Sequence, residues 1–423
     1  MGVSALKRRS VATEICFCIK STRPEGIDPL DSASFLHRIY KKFILFCILK
    51  KGMGIFLQNI IIATDFYLGE DTCERDLNQP GTGRRGVLMT IREELEMREK
   101  EILAPWACFS RESRGREKPE VPCDIRPSFQ RDRDRILHSK SFRRLKDKTQ
   151  VFLAPAGDHY RTRLTHTLEV SQNARTIAKA LCLNEDLVEA IALGHDLGHT
   201  PFGHAGERAL NRICPLGFRH NEQSLRLVDV LERGGRGLNL CWEVRDGILN
   251  HQTAGTPSTL EGQIVRISDK IAYFHHDMDD AMRAGILTEE EVPAEITNVA
   301  GKTTGERLDF FIHDMIRNSQ NKTVITMSEP AAQAMKDMRA FMFRRVYSNP
   351  VAKAEEKRAE QLVEVLYEYF CTHVKELPDF YEHMIVDETT KMRAVCDYIS
   401  AMSDHFAIAK YEELFVPKAW SVL

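Results

Sequence analysis

Leu260-Glu-Gly-Gln-Ile-Val-Arg-Ile-Ser-Asp-Lys-Ile-Ala-Tyr-Phe-His-His-Asp-Met-Asp-Asp-Ala-Met-Arg-Ala284 places Ile264, Ile267, Ile271, Phe274, Met278 and Ala281 at steps of three and four. That spacing stacks them on one face of a helix, and Gly285 is a stop signal. Asp269, Tyr273 and Asp277 step by four. At about 100° per residue they drift only about 40° per step, so they share the opposite face. On spacing alone that polar ladder reads equally well as solvated surface or as a ligand-bearing face.

Outward from this helix the pattern repeats. Periodic apolar spacing predicts a helix over 164–181; 186–197 reads as a strongly apolar helix to be buried against others, and 222–231 as another, stopped by Gly234 and Gly235. Ser328 reads as an N-cap with Pro330 in the first turn of a helix to about Tyr347. Two more helices are expected over 352–376 and 388–407, and a charged one over 89–102. Strands are hard to find beyond short candidates such as 149–153. The fold class expected is all-α: a helical bundle over 89–285 with a helical carboxy-terminal region over 286–423 packed on it.

The 423 residues hold 59 Lys and Arg against 61 Asp and Glu, with 43% hydrophobic residues. A near-neutral balance and a mean hydropathy of −0.33 exclude a polytopic membrane protein and a disordered chain. Eleven Cys without any CxxC pair suit reduced thiols in a cytoplasmic protein. Residues 1–88 differ: 13 Lys and Arg against 9 Asp and Glu, and apolar runs too short for a membrane span. Gln79-Pro-Gly-Thr-Gly-Arg-Arg-Gly86 reads as linker. Residues 1–88 are therefore expected to be a poorly structured extension, and Met89 the candidate true start.

Of 15 His, eight lie between His166 and His276. Gly194-His-Asp-Leu-Gly-His-Thr-Pro-Phe-Gly-His-Ala-Gly-Glu207 runs an apolar helix into His195 and Asp196, then into a Gly/Pro turn with His199, His204 and Glu207. So many polar groups at the end of a buried helix are expensive to desolvate, and a bound cation would offset that. One His-Asp pair cannot fill a coordination sphere, so further ligands must come from elsewhere; His166 and Asp269 are the candidates. Mixed His and carboxylate ligation favours Mn, Mg, Fe, Co or Ni over a thiolate-bound structural zinc.

The order His166, His195-Asp196, Asp269 resembles the HD-domain metal-dependent phosphohydrolases. Lys148-Thr-Gln-Val-Phe152, Arg161 to Val170, His195 to Glu207, His220-Asn-Glu-Gln-Ser224, Arg245-Asp-Gly-Ile248 and Asp269-Lys-Ile-Ala-Tyr273 are similar to the deoxyguanosine-triphosphate triphosphohydrolase family, in its bacterial dGTPase-like branch. The resemblance covers Met89 to the carboxy terminus, including Phe341-Met-Phe-Arg-Arg-Val-Tyr347. It implies cleavage of a deoxynucleoside triphosphate to deoxynucleoside and tripolyphosphate. It also implies a divalent metal on His166, His195, Asp196 and Asp269, and His204 with Glu207 as the catalytic pair.

By the same resemblance His199, His220, Lys270 and Arg163 would face the phosphates. Tyr273 would pack under the deoxyribose, and Gln150 and Asp277 would bind its 3′-hydroxyl. A homo-oligomer and control by a second nucleotide are further implications. One rival is another HD activity, a 5′-nucleotidase or nucleotide phosphodiesterase. A second rival is a regulator that binds nucleotide or nucleic acid, for which the only warrant is the mixed-charge stretch 126–148.

Overall fold

The computed structural model describes residues 89–151 and 161–418, with backbone alone at 350–354. The expectation for residues 1–88 lies outside the described residues, as do residues 152 and 153 of the expected strand. Thr149 makes one isolated antiparallel bridge to Thr162, and no sheet forms among the described residues. The all-α expectation holds.

Helix α1 (Ile91–Ile102) starts on a reciprocal cap: Glu93 N donates to Thr90 Oγ1 and Thr90 N to Glu93 Oε2. Next come α2 (Ser128–Leu137), α3 (Lys140–Arg144), α4 (Arg163–Ala180) and α5 (Glu185–Gly194). Asn184 caps α5, and from Leu187 onward all its residues but Glu189 are buried. A helix buried this far around its axis demands cover on most of its sides. It is covered by α2, α4, α8 (Trp242–Leu249) and α9 (Leu260–Arg283). Between α5 and α8 lie α6 (Gly203–Ile213) and α7 (His220–Arg226). Neither α6 nor α8 is anticipated by the periodicity, because each is short and interrupted by Gly.

The helix expected over 186–197 ends at Gly194, and His195 to Gly198 form a turn. A Cβ on Gly198 would sit 2.2 Å from Ser224 N, so α7 passes too close for any other residue. Ser224 clamps the turn: its Oγ accepts from Gly198 N at 2.8 Å and donates to His195 O at 2.7 Å. Helix α7 begins at His220 rather than at Glu222, and a π turn, Leu227–Leu231, carries the chain on.

Beyond α9 follow α10 (Ala294–Ala300), α11 (Thr304–Ser319), α12 (Glu329–Met342), α13 (Pro350–Thr372), α14 (Glu388–Ser400) and α15 (Asp404–Phe415). Ser328 caps α12 as expected. The single helix expected over 388–407 is two, because Asp404 turns inward to accept from Thr149 N and Phe202 N, each at 2.9 Å. One apolar core runs from Ala107 to Ala334, across residue 285. A second joins Ala209, Leu210 and Phe218 to Val363, Leu366 and Phe370. Arg208 and Arg212 also pair with Glu360 and Glu364 on α13. Exposed pairs contribute about 0–1 kcal/mol each, whereas each buried Leu, Val or Phe contributes about 1.5–3. The apolar seam holds α6 on α13, and thereby fixes the turn before α6. No helix among the described residues is long and apolar enough to cross a membrane.

Candidate active site

Three helices bring four ligand-type side chains together. His166 stands on the first turn of α4, His195 and Asp196 follow α5, and Asp269 lies mid-way along α9. His166, His195 and Asp196 offer ligand atoms within 4.8 Å of one another. Asp269 Oδ1 lies 3.2 Å from His166 Nε2 and 3.9 Å from His195 Nε2. Ligands at right angles on an ion with bonds of about 2.1 Å stand about 3 Å apart, so these separations suit one shared cation.

Protonation agrees. His195 Nδ1 donates to Ala192 O at 2.7 Å, which leaves Nε2 as a bare lone pair. That atom is buried and has no hydrogen-bond partner, a costly arrangement unless something electrophilic meets it. Burial opposes ionisation of Asp269, but a hydrogen bond from His166 and the charge of the two imidazoles hold the carboxyl down to about 2, a role that a bound cation would take over from them. Asp196 is likewise held low against its burial by His195, His199 and Arg163. Burial lowers the pKa of His166 and, more strongly, of His199. Neutral imidazoles and ionised carboxylates are the states a cation needs. The residues present fit a divalent metal.

The second group grows from the turn. Phe202 adopts φ +61°, an uncommon conformation for a bulky residue, and feeds directly into α6. In the first turn of α6, His204 Nδ1 donates to Glu207 Oε2 at 3.1 Å, and the side chain is otherwise largely exposed. Glu207 also accepts from the backbone N–H and the ring Nδ1–H of His220, both at 2.9 Å. Burial opposes its charge, yet these bonds hold its carboxyl far below the usual carboxylate range. His199 joins the two groups: its Nε2 lies 3.4 Å from Asp196 Oδ1, and its ring stacks on His220 at 3.8 Å.

An HD domain matches residues 163–273, a span that contains every one of the four ligand-type residues, and a phosphohydrolase-associated domain matches residues 325–413. A deoxyguanosinetriphosphate triphosphohydrolase-like protein of Caldanaerobacter subterraneus subsp. tengcongensis is 55% identical over 332 residues, covering 78% of this chain and 98% of that one. Proteins of the same name from Desulfatibacillum aliphaticivorans (47%) and Clostridium perfringens strain 13 (48%) also cover 78% of this chain and 99% of their own. The chain belongs to the deoxyguanosinetriphosphate triphosphohydrolase-like family. It is a hydrolase of the HD phosphohydrolase type.

For this family member the remaining expected residues fall into place unevenly. Arg163 is buried in the first turn of α4; its Nη1 donates to Asp196 Oδ2 at 2.6 Å and its Nε to Thr149 O at 3.2 Å. Its Nη2 has no partner. Lys270 is half-buried beside Asp269, and burial lowers its pKa. The Asp269–Tyr273–Asp277 ladder faces inward: Tyr273 is half-buried against Phe274 and Asp277 is 3% exposed. Solvated surface, the alternative left open by spacing, is thereby excluded. Gln150 Oε1 is buried without a partner, and Gln150 makes no hydrogen bond to Asp277 among the described residues. Asp277 Oδ2 instead accepts from Tyr347 at 2.6 Å.

Sequence reasoning missed three contributors. His251 donates Nδ1–H to Ile248 O at 2.7 Å and aims Nε2 at His220 Nε2, 3.3 Å away, and at Asp196 Oδ1, 4.0 Å away. His276 lies behind His166. Lys148 is fully enclosed and bonds the carbonyls of His199 and Ser400, with burial pushing its pKa down to about 7. The density of His between 166 and 276 was the signal for the first two. No periodicity marks Lys148.

Proposed function

We propose that the chain hydrolyses deoxynucleoside triphosphates at the α-phosphorus, releasing deoxynucleoside and tripolyphosphate. The observation that carries this reading is the junction through His199 of two groups: the cluster His166, His195, Asp196 and Asp269, and the pair His204 and Glu207. A divalent cation (Mn, Mg, Fe, Co or Ni) held by those four residues would supply Lewis-acid stabilisation of charge on the α-phosphate.

The chain's own groups do the rest. Water attacks phosphorus, the bond to O5′ breaks, and that oxygen takes up a proton. His204 moves a proton at Nε2, with its Nδ1–H fixed on Glu207. The unpartnered Nη2 of Arg163 and Nδ1 of His199, with Lys270 and His220, bind the phosphate oxygens. Tyr273 walls the pocket against a 2′-hydroxyl, and Gln150 and Asp277 receive the 3′-hydroxyl. A homo-oligomer in the cytoplasm, controlled by a second nucleotide, belongs to the same reading; the described cysteines are free thiols, which suits that compartment.

The test is a screen of the four dNTPs, singly and in pairs, with Mn²⁺ or Mg²⁺, resolving phosphorus products by NMR. Tripolyphosphate is the expected product. Monophosphate, orthophosphate or pyrophosphate in its place would assign one of the other HD activities.

A further inference from the structure

The buried imidazole of His276 has no role in the chemistry above, yet it touches that chemistry at both ends. It is 0% exposed on α9. Its Nε2 lies 2.7 Å from His166 Nδ1, the two rings meeting edge to face at 83°. Its Nδ1 lies 2.6 Å from Asp277 Oδ1, a close electrostatic contact between sequence neighbours that lacks hydrogen-bond geometry and leaves both buried atoms otherwise unpartnered. Asp277 Oδ2 in turn accepts the Tyr347 hydroxyl at 2.6 Å. The line Tyr347, Asp277, His276, His166, Asp269 thus runs from the ladder's buried end to the metal-type cluster.

A single proton occupies the bond between the two imidazoles. If His276 Nε2 carried it and the ring were neutral, His276 Nδ1 would present a lone pair to an anionic oxygen 2.6 Å away. If His166 Nδ1 carries it, His276 keeps its proton on Nδ1, facing Asp277, and the repulsion is removed. His166 Nε2 is then bare, 3.2 Å from Asp269 Oδ1 and 3.7 Å from Asp196 Oδ2. A lone pair among carboxylates is favourable only around a cation. Ligating histidines elsewhere are oriented by such partners, whose loss weakens metal affinity about 10–100-fold.

We infer that His276 is a positioning residue that, backed by Asp277, fixes His166 with its proton on Nδ1 and so keeps Nε2 free to bind the cation. This rests on the reading of His166, His195, Asp196 and Asp269 as a metal site. Because Asp277 also belongs to the proposed sugar pocket, cation affinity then depends on a residue that touches no cation.

The full-length protein, stripped with chelator, is titrated with Mn²⁺ alone, free Mn²⁺ being read from its electron paramagnetic resonance signal. His276→Phe removes the acceptor, and a 10–100-fold weaker Mn²⁺ affinity is expected. His276→Gln places an amide oxygen near the lost Nε2 and should restore affinity to within about threefold of the unaltered chain, a rescue that simple packing loss would not give. Asp277→Asn should weaken affinity several-fold while leaving every proposed ligand in place. Unchanged Mn²⁺ affinity in Asp277→Asn, or equal loss in His276→Gln and His276→Phe, overturns the inference even if the Phe variant proves unfolded. A chain whose Mn²⁺ binding survives His166→Ala unchanged overturns the metal reading itself, and the inference with it.

Discussion

Glu207 accepts the backbone N–H and the ring Nδ1–H of His220, each at 2.9 Å, while holding the Nδ1–H of His204 at 3.1 Å. One carboxylate therefore sets the tautomers of two imidazoles on different helices. Its ionisation is strongly favoured despite burial, because both imidazoles donate to it. Glu207→Gln keeps the shape but loses one acceptor and the charge. We expect kcat to fall about 10²–10⁴-fold, the range for lost proton transfer. Since Glu207 stays ionised across the working range, the loss should persist at every pH between about 5 and about 9. A variant whose deficit disappears at either end of a kcat profile would refute a charged Glu207 behind His204.

His251 gives a prediction on stability. Burial, with the neighbouring His195 and His220, pushes its pKa down to about 4 from an ordinary 6.5. Between those values the unfolded chain binds the proton and the folded chain does not. The neutral ring's contribution is therefore complete above about pH 6.5 and is lost as pH falls towards about 4, by up to about 3 kcal/mol. In metal-free protein, urea midpoints should drop over that window, and His251→Gln should flatten the drop. Equal slopes in the two proteins would show that His251 is not the group responsible.

Tyr273 stands half-buried on α9, its ring tilted on Phe274 at 4.4 Å, with Asp269 and Asp277 one turn to either side. A wall at that place discriminates sterically, and such discrimination is worth about 1–3 kcal/mol. Tyr273→Ala should narrow the ratio of kcat/KM for dNTP over rNTP about 10–100-fold, with Mn²⁺ affinity unchanged. Selectivity intact in this variant would remove Tyr273 from the sugar pocket.

How much of this was written in the sequence depends on range. Helices α4 and α9 are legible because their faces repeat, α5 because it is strongly apolar and α12 because Ser328 and Pro330 mark its start; the His195 to Glu207 run is legible because its polar density cannot be buried uncompensated. The Asp269–Tyr273–Asp277 ladder was placed on one face, but whether water or protein covers it is a tertiary fact. The break between α14 and α15 comes from Asp404 bonding Thr149 and Phe202, partners more than 200 residues distant that no local window contains. His251 and His276 were counted in the cluster without being assigned. Their roles rest on which ring nitrogen faces which neighbour, and spacing carries no such information.

Residues 1–88 give the last prediction. Helix α1 needs nothing upstream of Met89 to begin, because Thr90 and Glu93 cap each other's backbone N–H groups. Its far end is tied into the body: Glu99 accepts from Ser110 N at 2.8 Å and Ser110 Oγ at 2.6 Å, and Asn184 Nδ2 reaches it at 3.3 Å. The three relatives compared above are covered over 98–99% of their lengths by 78% of this chain, so the family's motifs need no more than that share. Reciprocal caps of this kind contribute about 1 kcal/mol, enough to prevent fraying of a helix that already packs. A chain beginning at Met89 should therefore melt within about 2 °C of the full-length protein, a shift equivalent to about 1–2 kcal/mol at this size. Its dNTP turnover should match to within about twofold. A lower melting temperature with turnover kept would assign residues 1–88 a structural role; lost turnover at an unchanged melting temperature would assign them to the site.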